Sequence, residues 1–443
     1  MTIASPDEHR SHGSAPDRLA TETKAGARIR RAPRAMATQP ILFIHHANDM
    51  YGADIGLLHS IKSLDRQKYF PIVILPADMP TGMLSPELER VGVEYHFAHL
   101  GILRRKYLKP RAILPLAVEL LKGIASVRSI ARDRRVALVY ANTFVTVSGA
   151  IGGKLAGVPV LWHIREILSM PRPLRWLLCK TLGLCADRVV CISKAVRDSA
   201  LKEAPNLAKK SVVAYNAVSV AASNGTGKDI GLREELGLPQ GALLVGMVGR
   251  ISHWKGQEIL AEAAALVLQD HPGVHFVAVG SYFADESHYL QKLRSLISNL
   301  GLDGRFHLVD YRSNVIDVYR ALDVFVLPSI KPEPFGRVTV EAMMQGRAVI
   351  ATNHGGTVEL IEHGVTGVLV PPSDPKSLAA AIESLLIDRP MRERMGQAAA
   401  LYAKQNFGLP RYDSQMRNII NELVAQECMS VNEMSSAAPL DAA

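Results

Sequence analysis

Short, almost uninterrupted apolar runs recur along this chain, and their length and spacing constrain the fold more than any other feature. A first series reads PILFIHH, FPIVILP, EYHFAHL, ALVYANT, PVLWHI, DRVVCIS and KSVVAYN. A second reads LLVGMVGR, VHFVAVG, RFHLVD, DVFVLPS, RAVIATN and TGVLVPP. Runs this short, without polar alternation, suit strands buried on both faces, the condition inside a parallel sheet. Stretches of helical spacing lie between many of them: GADIGLLHSIKSLD in the first series, GQEILAEAAALVLQD, SHYLQKLRSLISNLG and RVTVEAMMQG in the second. Strand–helix alternation of this kind predicts α/β architecture, and 443 residues exceed one ordinary core. The alternation fades over residues 217–241, where Ser, Gly and Asn collect before a short helix and a proline, as in a linker. The expectation is therefore two doubly wound, Rossmann-like domains, residues 40–216 and 242–409, facing each other across a cleft.

The ends read differently. Residues 1–39 are Ser/Ala/Pro-rich, basic and without the apolar core of a secretory signal, so they are expected to be a disordered arm, with Met36 as a rival start. Residues 410–427 hold the amphipathic stretch YDSQMRNIINELVAQE, expected to form a helix packing back towards the first domain, with 428–443 as a tail. The uncharged stretch 136–153 is long enough to suggest a membrane span, but its Asn, Thr, Ser and Gly content favours a buried strand, a loop and a helix packed through glycines. Cys179, Cys185 and Cys191 lack metal-ligand spacing and read as buried thiols of a cytoplasmic protein.

Hydrophobic residues at 48% and charged residues at 21% exclude a disordered or fibrous chain. The net charge of +9 raises nucleic-acid binding as one reading, but no aromatic–basic interleaving or reader motif accompanies it, so no nucleic acid is expected. Residues 101–135 hold ten Lys or Arg against only Glu119 and Asp133, interleaved with Leu, Ile and Tyr. That pattern fits a solvated surface, a polyanionic acceptor or an anionic membrane surface. Asp-x-Asp is absent, as is Gly-x-Gly-x-x-Gly between a strand and a helix, so neither a metal nor a dinucleotide cofactor is expected.

The densest chemistry lies in KPEPFGRVTVEAMMQG, which sets Glu333 and Glu341 on either side of a Phe335–Gly336 turn. With VGRISHWKG, ALDVFVLPS and GGTVELIEHGVTGVLVPPSD, and more weakly with YGADIGLL, AGVPVLWHIRE, VVCIS and AYNAVS, this stretch resembles glycosyltransferase family 4, the retaining GT-B enzymes. The resemblance covers all but the two tails. It implies a GT-B fold and transfer of a sugar from a nucleoside-diphosphate donor to an acceptor hydroxyl, with retention at the anomeric carbon.

The residues make physical sense of that implication. Gly336 permits a tight turn into a helix over 338–346, whose N-terminal amides at Val338 and Thr339 suit a phosphate. Arg250 and Lys255, after the strand LLVGMVG, bring two cations to the same anion. Glu341 then meets ribose hydroxyls and Glu333 lies nearer the transferred sugar, as their counterparts do in the family, where the backbone at Phe335 and Gly336 lines the sugar site. Read instead as a glycosidase pair, the two glutamates leave Arg250 and Lys255 idle. His163 ends a strand and points into the core or the cleft; the resemblance puts it beside the reacting sugar. Arg165 and Glu166 reach an acceptor or pair with each other. The loop at Gly52 approaches phosphate and acceptor in the family; here Tyr51 replaces the usual first glycine and Asp54 stands where Glu is common. Ala217 replaces a glycine, which leaves Asn216 a hinge or loop role.

His163, Arg250, Lys255 and Glu333 are thus the expected catalytic residues. Gly52, Phe335, Gly336, Val338, Thr339 and Glu341 join the last three at the donor, and Asp54, Arg165 and Glu166 stand on the acceptor side. The partners implied are a nucleotide sugar and a glycan or lipid-linked acceptor, met in the cytoplasm or at the inner face of a membrane. A GT-B epimerase or hydrolase acting on a nucleotide sugar is the alternative within the fold, and a basic nucleic-acid-binding protein the alternative outside it.

Overall fold

The computed structural model describes residues 38–104, 110–219, 231–282, 287–312 and 314–436. All the apolar runs of the first series are strands of one parallel sheet: β1 (Gln39–Ile44), β2 (Tyr69–Pro76), β3 (Glu94–Ala98), β4 (Leu138–Asn142), β5 (Val160–Ile164), β6 (Arg188–Cys191) and β7 (Ser211–Val213). Those of the second series form another: β8 (Leu244–Val248), β9 (His275–Val279), β10 (Phe306–Val309), β11 (Val324–Leu327), β12 (Ala348–Thr352) and β13 (Val368–Val370). The strand orders are β3-β2-β1-β4-β5-β6-β7 and β10-β9-β8-β11-β12-β13. Each order reverses beside the strand that opens its sheet, β1 next to β4 and β8 next to β11. In doubly wound sheets a crevice opens at that point, beyond the carboxyl ends of the strands.

Burial on both faces explains why the strands carry no polar alternation. In β1, Leu42 and Ile44 join one layer with Val127, Ala150 and Leu178, while Ile41 and Phe43 join the other with Leu57 and Leu58. The second layer is completed from the far end of the sequence. Helix Leu409–Ser436 follows the second domain in the chain but lays Tyr412, Met416, Ile420 and Leu423 against the first sheet. Its polar groups fix the register: Tyr412 Oη lies 2.6 Å from Ser60 Oγ, Gln415 Nε2 donates to the Val213 carbonyl at 2.7 Å, and Asn421 Oδ1 accepts from Tyr69 Oη at 3.0 Å.

Several boundaries differ from those predicted. β1 begins at Gln39, inside the expected arm, and residues 1–37 lie outside the described residues. Ala217 and Val218 are buried, and the Val218 amide donates to the Phe407 carbonyl at 2.9 Å, so the predicted linker starts as a packed crossing. Residues 220–230 lie outside the described residues, and the short helix Leu232–Glu235 is tied to the second sheet by Arg233 Nη2 and Asp323 at 2.5 Å. The last helix continues to Ser436, into the expected tail. In 136–153, β4 is followed by helix Val147–Ala156, and a Cβ at Gly149 or Gly153 would stand 2.7 Å from Ile44 or 2.9 Å from Val139. Those glycines let the helix lie close on the sheet. Among the described residues no helix is long and apolar enough to cross a membrane. Cys179 and Cys191 are buried as expected, whereas Cys185 is partly exposed.

Because the last helix completes the first core, Met416→Ala should destabilise that core by about 2–4 kcal/mol, the usual cost of truncating a buried methionine. Amide exchange should then quicken in β1 and β4. Acceleration confined to β8 and β11 would contradict the shared core.

Candidate functional site

The carboxyl edge of the second sheet gathers most of the predicted donor residues. After β8 the chain turns through Gly249 to Arg250, whose carbonyl accepts from Gln257 Nε2 at 3.0 Å. Gly256 has φ +80°, and a Cβ there would stand 1.9 Å from the Pro328 carbonyl, so this turn presses against the end of β11. The approach brings Lys255 Nζ to 2.6 Å from Glu333 Oε1, and Ser329 Oγ donates to the same oxygen at 2.6 Å. Lys255 also lies over the Trp254 ring, 4.3 Å from its centroid. Both charges are largely buried, which such a pair tolerates only when held by further partners.

The backbone of Glu333 bridges to Gly355, and its carbonyl accepts from the Gly356 amide at 2.7 Å. Gly336, at φ +93°, then turns the chain into helix Arg337–Met344. Within the first turn the Thr339 amide donates back to the Gly336 carbonyl at 2.9 Å. That corrects the expectation for Thr339, whose amide is engaged inside the turn; the first-turn amides of Arg337 and Val338 are ones a helix of itself leaves unpaired. Its hydroxyl, with that of Ser252, is buried without a hydrogen-bond partner. Glu341 accepts from Tyr319 Oη and Arg337 Nε, both at 2.7 Å. Burial and the neighbouring Glu341 push Tyr319 well above the ordinary phenol range, so it stays a donor. The Phe335 ring packs between Tyr215 and Phe407, with centroids at 6.2 and 5.7 Å, leaving only its backbone to face a ligand.

On the first sheet His163 is buried near the end of β5, with Tyr140 Oη bonded to its Nδ1. Arg165 Nη2 lies 3.3 Å from the same nitrogen. A guanidinium only donates, so Nδ1 is the acceptor and the ring proton sits on Nε2, which is buried without a partner. Burial, then Arg165, pushes the His163 pKa well below the ordinary range. The imidazole is neutral.

The residues expected on the acceptor side are engaged within the protein. Arg165 is buried, its Nε donating to Asn142 Oδ1 and its Nη1 to Asn216 Oδ1, both at 2.7 Å, and its Nη2 to Ser60 Oγ at 3.3 Å. None of these partners is a carboxylate, so its charge contributes positive potential at the sheet edge. Asn216 is thereby more than a hinge residue. Glu166 does not pair with the Arg165 side chain; its Oε2 accepts from the amides of Phe144 and Arg165, both at 3.1 Å, and burial raises its pKa. Asp54 is buried, with Oδ1 2.8 Å from His45 Nε2 and Oδ2 accepting from the Tyr51 amide at 2.9 Å. Burial would raise its pKa, but the hydrogen bond to His45, the nearby His46 and the Tyr51 amide hold it low. Asp54 and Arg165 therefore shape the edge and are not open to an acceptor. Gly52 opens helix Gly52–Lys62, and a Cβ there would meet nothing within 4 Å.

Sequence reasoning missed Thr143. It follows β4 at φ +81°, a strained conformation for a β-branched residue, and its hydroxyl is buried without a partner. Its amide donates to the His163 carbonyl at 2.8 Å. Only the Asn-Thr at a strand's end could have flagged it, and that pattern is common.

The two carboxyl edges meet directly. Ser193 Oγ donates to the Pro334 carbonyl at 2.6 Å, and Glu359 accepts from the Lys194 and Ala195 amides at 2.7 and 2.8 Å, capping helix Lys194–Leu201 from the opposite domain. Among the described residues, no three of His, Cys, Asp and Glu gather as metal ligands would.

A family model described as "Glycosyltransferase Family 4" matches residues 50–222, and one described as "Glycosyl transferases group 1" matches residues 230–402. The chain belongs to the family-4 GT-B glycosyltransferases. A crystal structure of Anabaena HepE in complex with UDP and glucose superposes with a TM-score of 0.72 at 28% identity, covering 86% of this chain and 99% of that one. The same protein is known in complex with UDP-glucose. A D-inositol 3-phosphate glycosyltransferase of Corynebacterium efficiens is 35% identical over 44% of this chain and 46% of its own length. Spore coat protein SA of Bacillus subtilis is 30% identical over 53% of this chain and 66% of its own. The match thus spans about half of the first of these curated relatives and under two thirds of the second.

The buried histidines of this GT-B chain give its stability a pH dependence of definite sign. His163 is held well below its ordinary pKa, and His59 is lowered to about 4 by burial, then by Arg337 and Arg165. Unfolded, both bind protons near pH 6.5; folded, they do not. Their stabilisation is complete above that pH and is lost as pH falls, by about 1.4 kcal/mol per pH unit for each. The melting temperature should fall from pH 7 to pH 5, less steeply in His59→Gln. A melting temperature that is flat over this range would contradict the burial of neutral imidazoles.

Proposed function

We propose that this chain is a retaining hexosyltransferase, moving a sugar from a nucleoside-diphosphate donor to the hydroxyl of a glycan or lipid-linked acceptor. The observation that carries the reading is the Lys255–Glu333–Ser329 cluster, set beside the N-terminal turn of helix Arg337–Met344 at the carboxyl edge of the second sheet. A diphosphate arriving there takes Lys255 and Arg250 as cations and the amides of Arg337 and Val338 as donors. Lys255 exchanges its bond to Glu333 for one to phosphate, which releases a Glu333 oxygen for a sugar hydroxyl. Glu341, steadied by Tyr319 and Arg337, receives the ribose hydroxyls. UDP-glucose is the first donor to test, because the HepE complexes hold it.

In the transfer step the bond between the anomeric carbon and the diphosphate breaks, its electron pair leaving on the phosphate oxygen. The acceptor oxygen bonds to the same face of the carbon, and its proton passes to that departing oxygen. The protein's task is to stabilise the charge developing on the diphosphate, which falls to Arg250, Lys255 and the helix amides. With those cations on the diphosphate, the proposed step needs no resident metal. The neutral His163, with its Nε2–H unpartnered, offers a donor to a sugar hydroxyl and not a positive charge. The same proposal puts the enzyme in the cytoplasm, meeting its acceptor at the inner face of a membrane through the cationic segment 101–135.

A panel of UDP-, GDP- and ADP-sugars screened by thermal shift identifies the donor. With it, Lys255→Ala and Arg250→Ala should each slow transfer by about 30- to 1000-fold, equivalent to about 2–4 kcal/mol of transition-state stabilisation. Glu333→Gln should slow transfer while leaving binding of the free nucleoside diphosphate nearly intact. Rates within about twofold of wild type for both cation variants would overturn the assignment. Nucleotide released at the same rate with and without an acceptor would favour the epimerase or hydrolase alternative.

A further inference from the structure

In a parallel sheet the helix after each strand runs back from the carboxyl edge, so its first turns stand at the rim of the cleft. Helices Ile113–Asp133 and Arg172–Cys185 each contact helix Val147–Ala156, which lies against β4 and β5, and all three share the core layer on one face of the first sheet. Their inner sides are ordinary core: Val127 and Ala131 on one, Leu178 and Leu182 on the other. Their outer sides at the rim end are not the polar faces of solvated helices. Leu114 is 75% exposed, Leu121 66%, Trp176 51% and Leu177 54%.

Cations frame these apolar side chains. Arg111 and Arg172 are exposed, and Lys180 Nζ stands 5.5 Å from the Trp176 ring centroid. Helix Arg172–Cys185 carries no carboxylate. Several cations of the 101–135 run are less available than its sequence implied: Arg104 pairs with Asp78, Lys122 with Glu119 and Arg134 with Glu94. Arg105, Lys106 and Lys109 lie outside the described residues. The charge run alone is therefore a weaker anchor than its count suggested, and the apolar side chains have to supply much of any adhesion.

We propose that the outer faces of these two helices form one interfacial surface that seats the first domain on an anionic lipid bilayer. Leu114, Leu121, Trp176 and Leu177 enter the boundary between headgroups and acyl chains, while Arg111, Arg172 and Lys180 meet lipid phosphates. Charge complementarity favours a bilayer over a second copy of the chain, because two-fold self-pairing would press the cationic surface against itself. The surface adjoins the cleft rim, which would bring a lipid-linked hydroxyl to the first domain's edge. That purpose rests on the transferase reading; the membrane contact does not.

The test is sedimentation of the full chain with phosphatidylglycerol-containing vesicles and with pure phosphatidylcholine vesicles. Wild type should bind the former in preference and show a blue shift of tryptophan emission that Trp176→Phe removes. The double variants Leu114→Glu/Leu121→Glu and Trp176→Glu/Leu177→Glu should each reduce vesicle binding at least about tenfold, with wild-type melting temperatures, since these side chains are exposed. Unchanged vesicle binding by both double variants would overturn the proposal, as would no wild-type binding at low salt. A concentration-dependent dimer that the same variants dissolve would also overturn it, assigning the face to a second copy. Vesicle binding that persists when no nucleotide sugar stabilises the protein would uphold this surface while removing the transferase reading.

Discussion

The bond between Lys255 and Glu333 holds the candidate site together. An ammonium and a carboxylate this far out of water are costly unless paired and further hydrogen-bonded, and here Ser329 and the Trp254 ring complete the set. The two residues stand far apart in sequence, so the pair also reports how β8 and β11, neighbours at the switch point of the second sheet, bring their following turns together. Gly256 and Gly356 make the approach possible, since a Cβ at either would strike the Pro328 or Pro334 carbonyl. A charge pair that a ligand can open suits a diphosphate site: the cation is kept satisfied until a stronger anion arrives.

The opposite edge is built on a contrasting principle. Arg165 is buried among neutral acceptors, and His163 beside it is kept neutral by burial and by that same charge. The Arg165 guanidinium is thus held there by neutral acceptors and not by a carboxylate of its own. The strained Thr143, bonded through its amide to the His163 carbonyl, adds a rigid support of the kind that recurs at functional sites. Glu359 and Ser193 tie the two edges together through backbone groups, so relative movement of the domains has to break hydrogen bonds at defined places.

Much of this was legible in the sequence. The apolar runs gave every strand of both sheets, because buried parallel strands leave an unambiguous signature, and the turn at Gly336 announced its helix. The amphipathic stretch after residue 410 does lie on the first sheet. What was not legible depends on partners distant in the chain. Nothing local to Asp54 says that His45 and the Tyr51 amide occupy its oxygens, and nothing local to Arg165 says that Asn142, Asn216 and Ser60 enclose it. Charge counting over residues 101–135 could not say which cations are paired, for the same reason: the partners of Arg104 and Arg134 come from other elements. Nor does the sequence mark the exposed apolar side chains of helix Arg172–Cys185, because exposure, unlike hydrophobicity, is not written in a residue's identity.

The reading of the Lys255–Glu333 pair as a diphosphate site is open to direct view in a crystal structure of the protein with UDP. Lys255 Nζ should lie within about 3 Å of a phosphate oxygen, a charge-assisted contact, with the Val338 amide donating to the same group and the bond to Glu333 lengthened or broken. An intact Lys255–Glu333 bond, with the phosphates bound elsewhere, would contradict it.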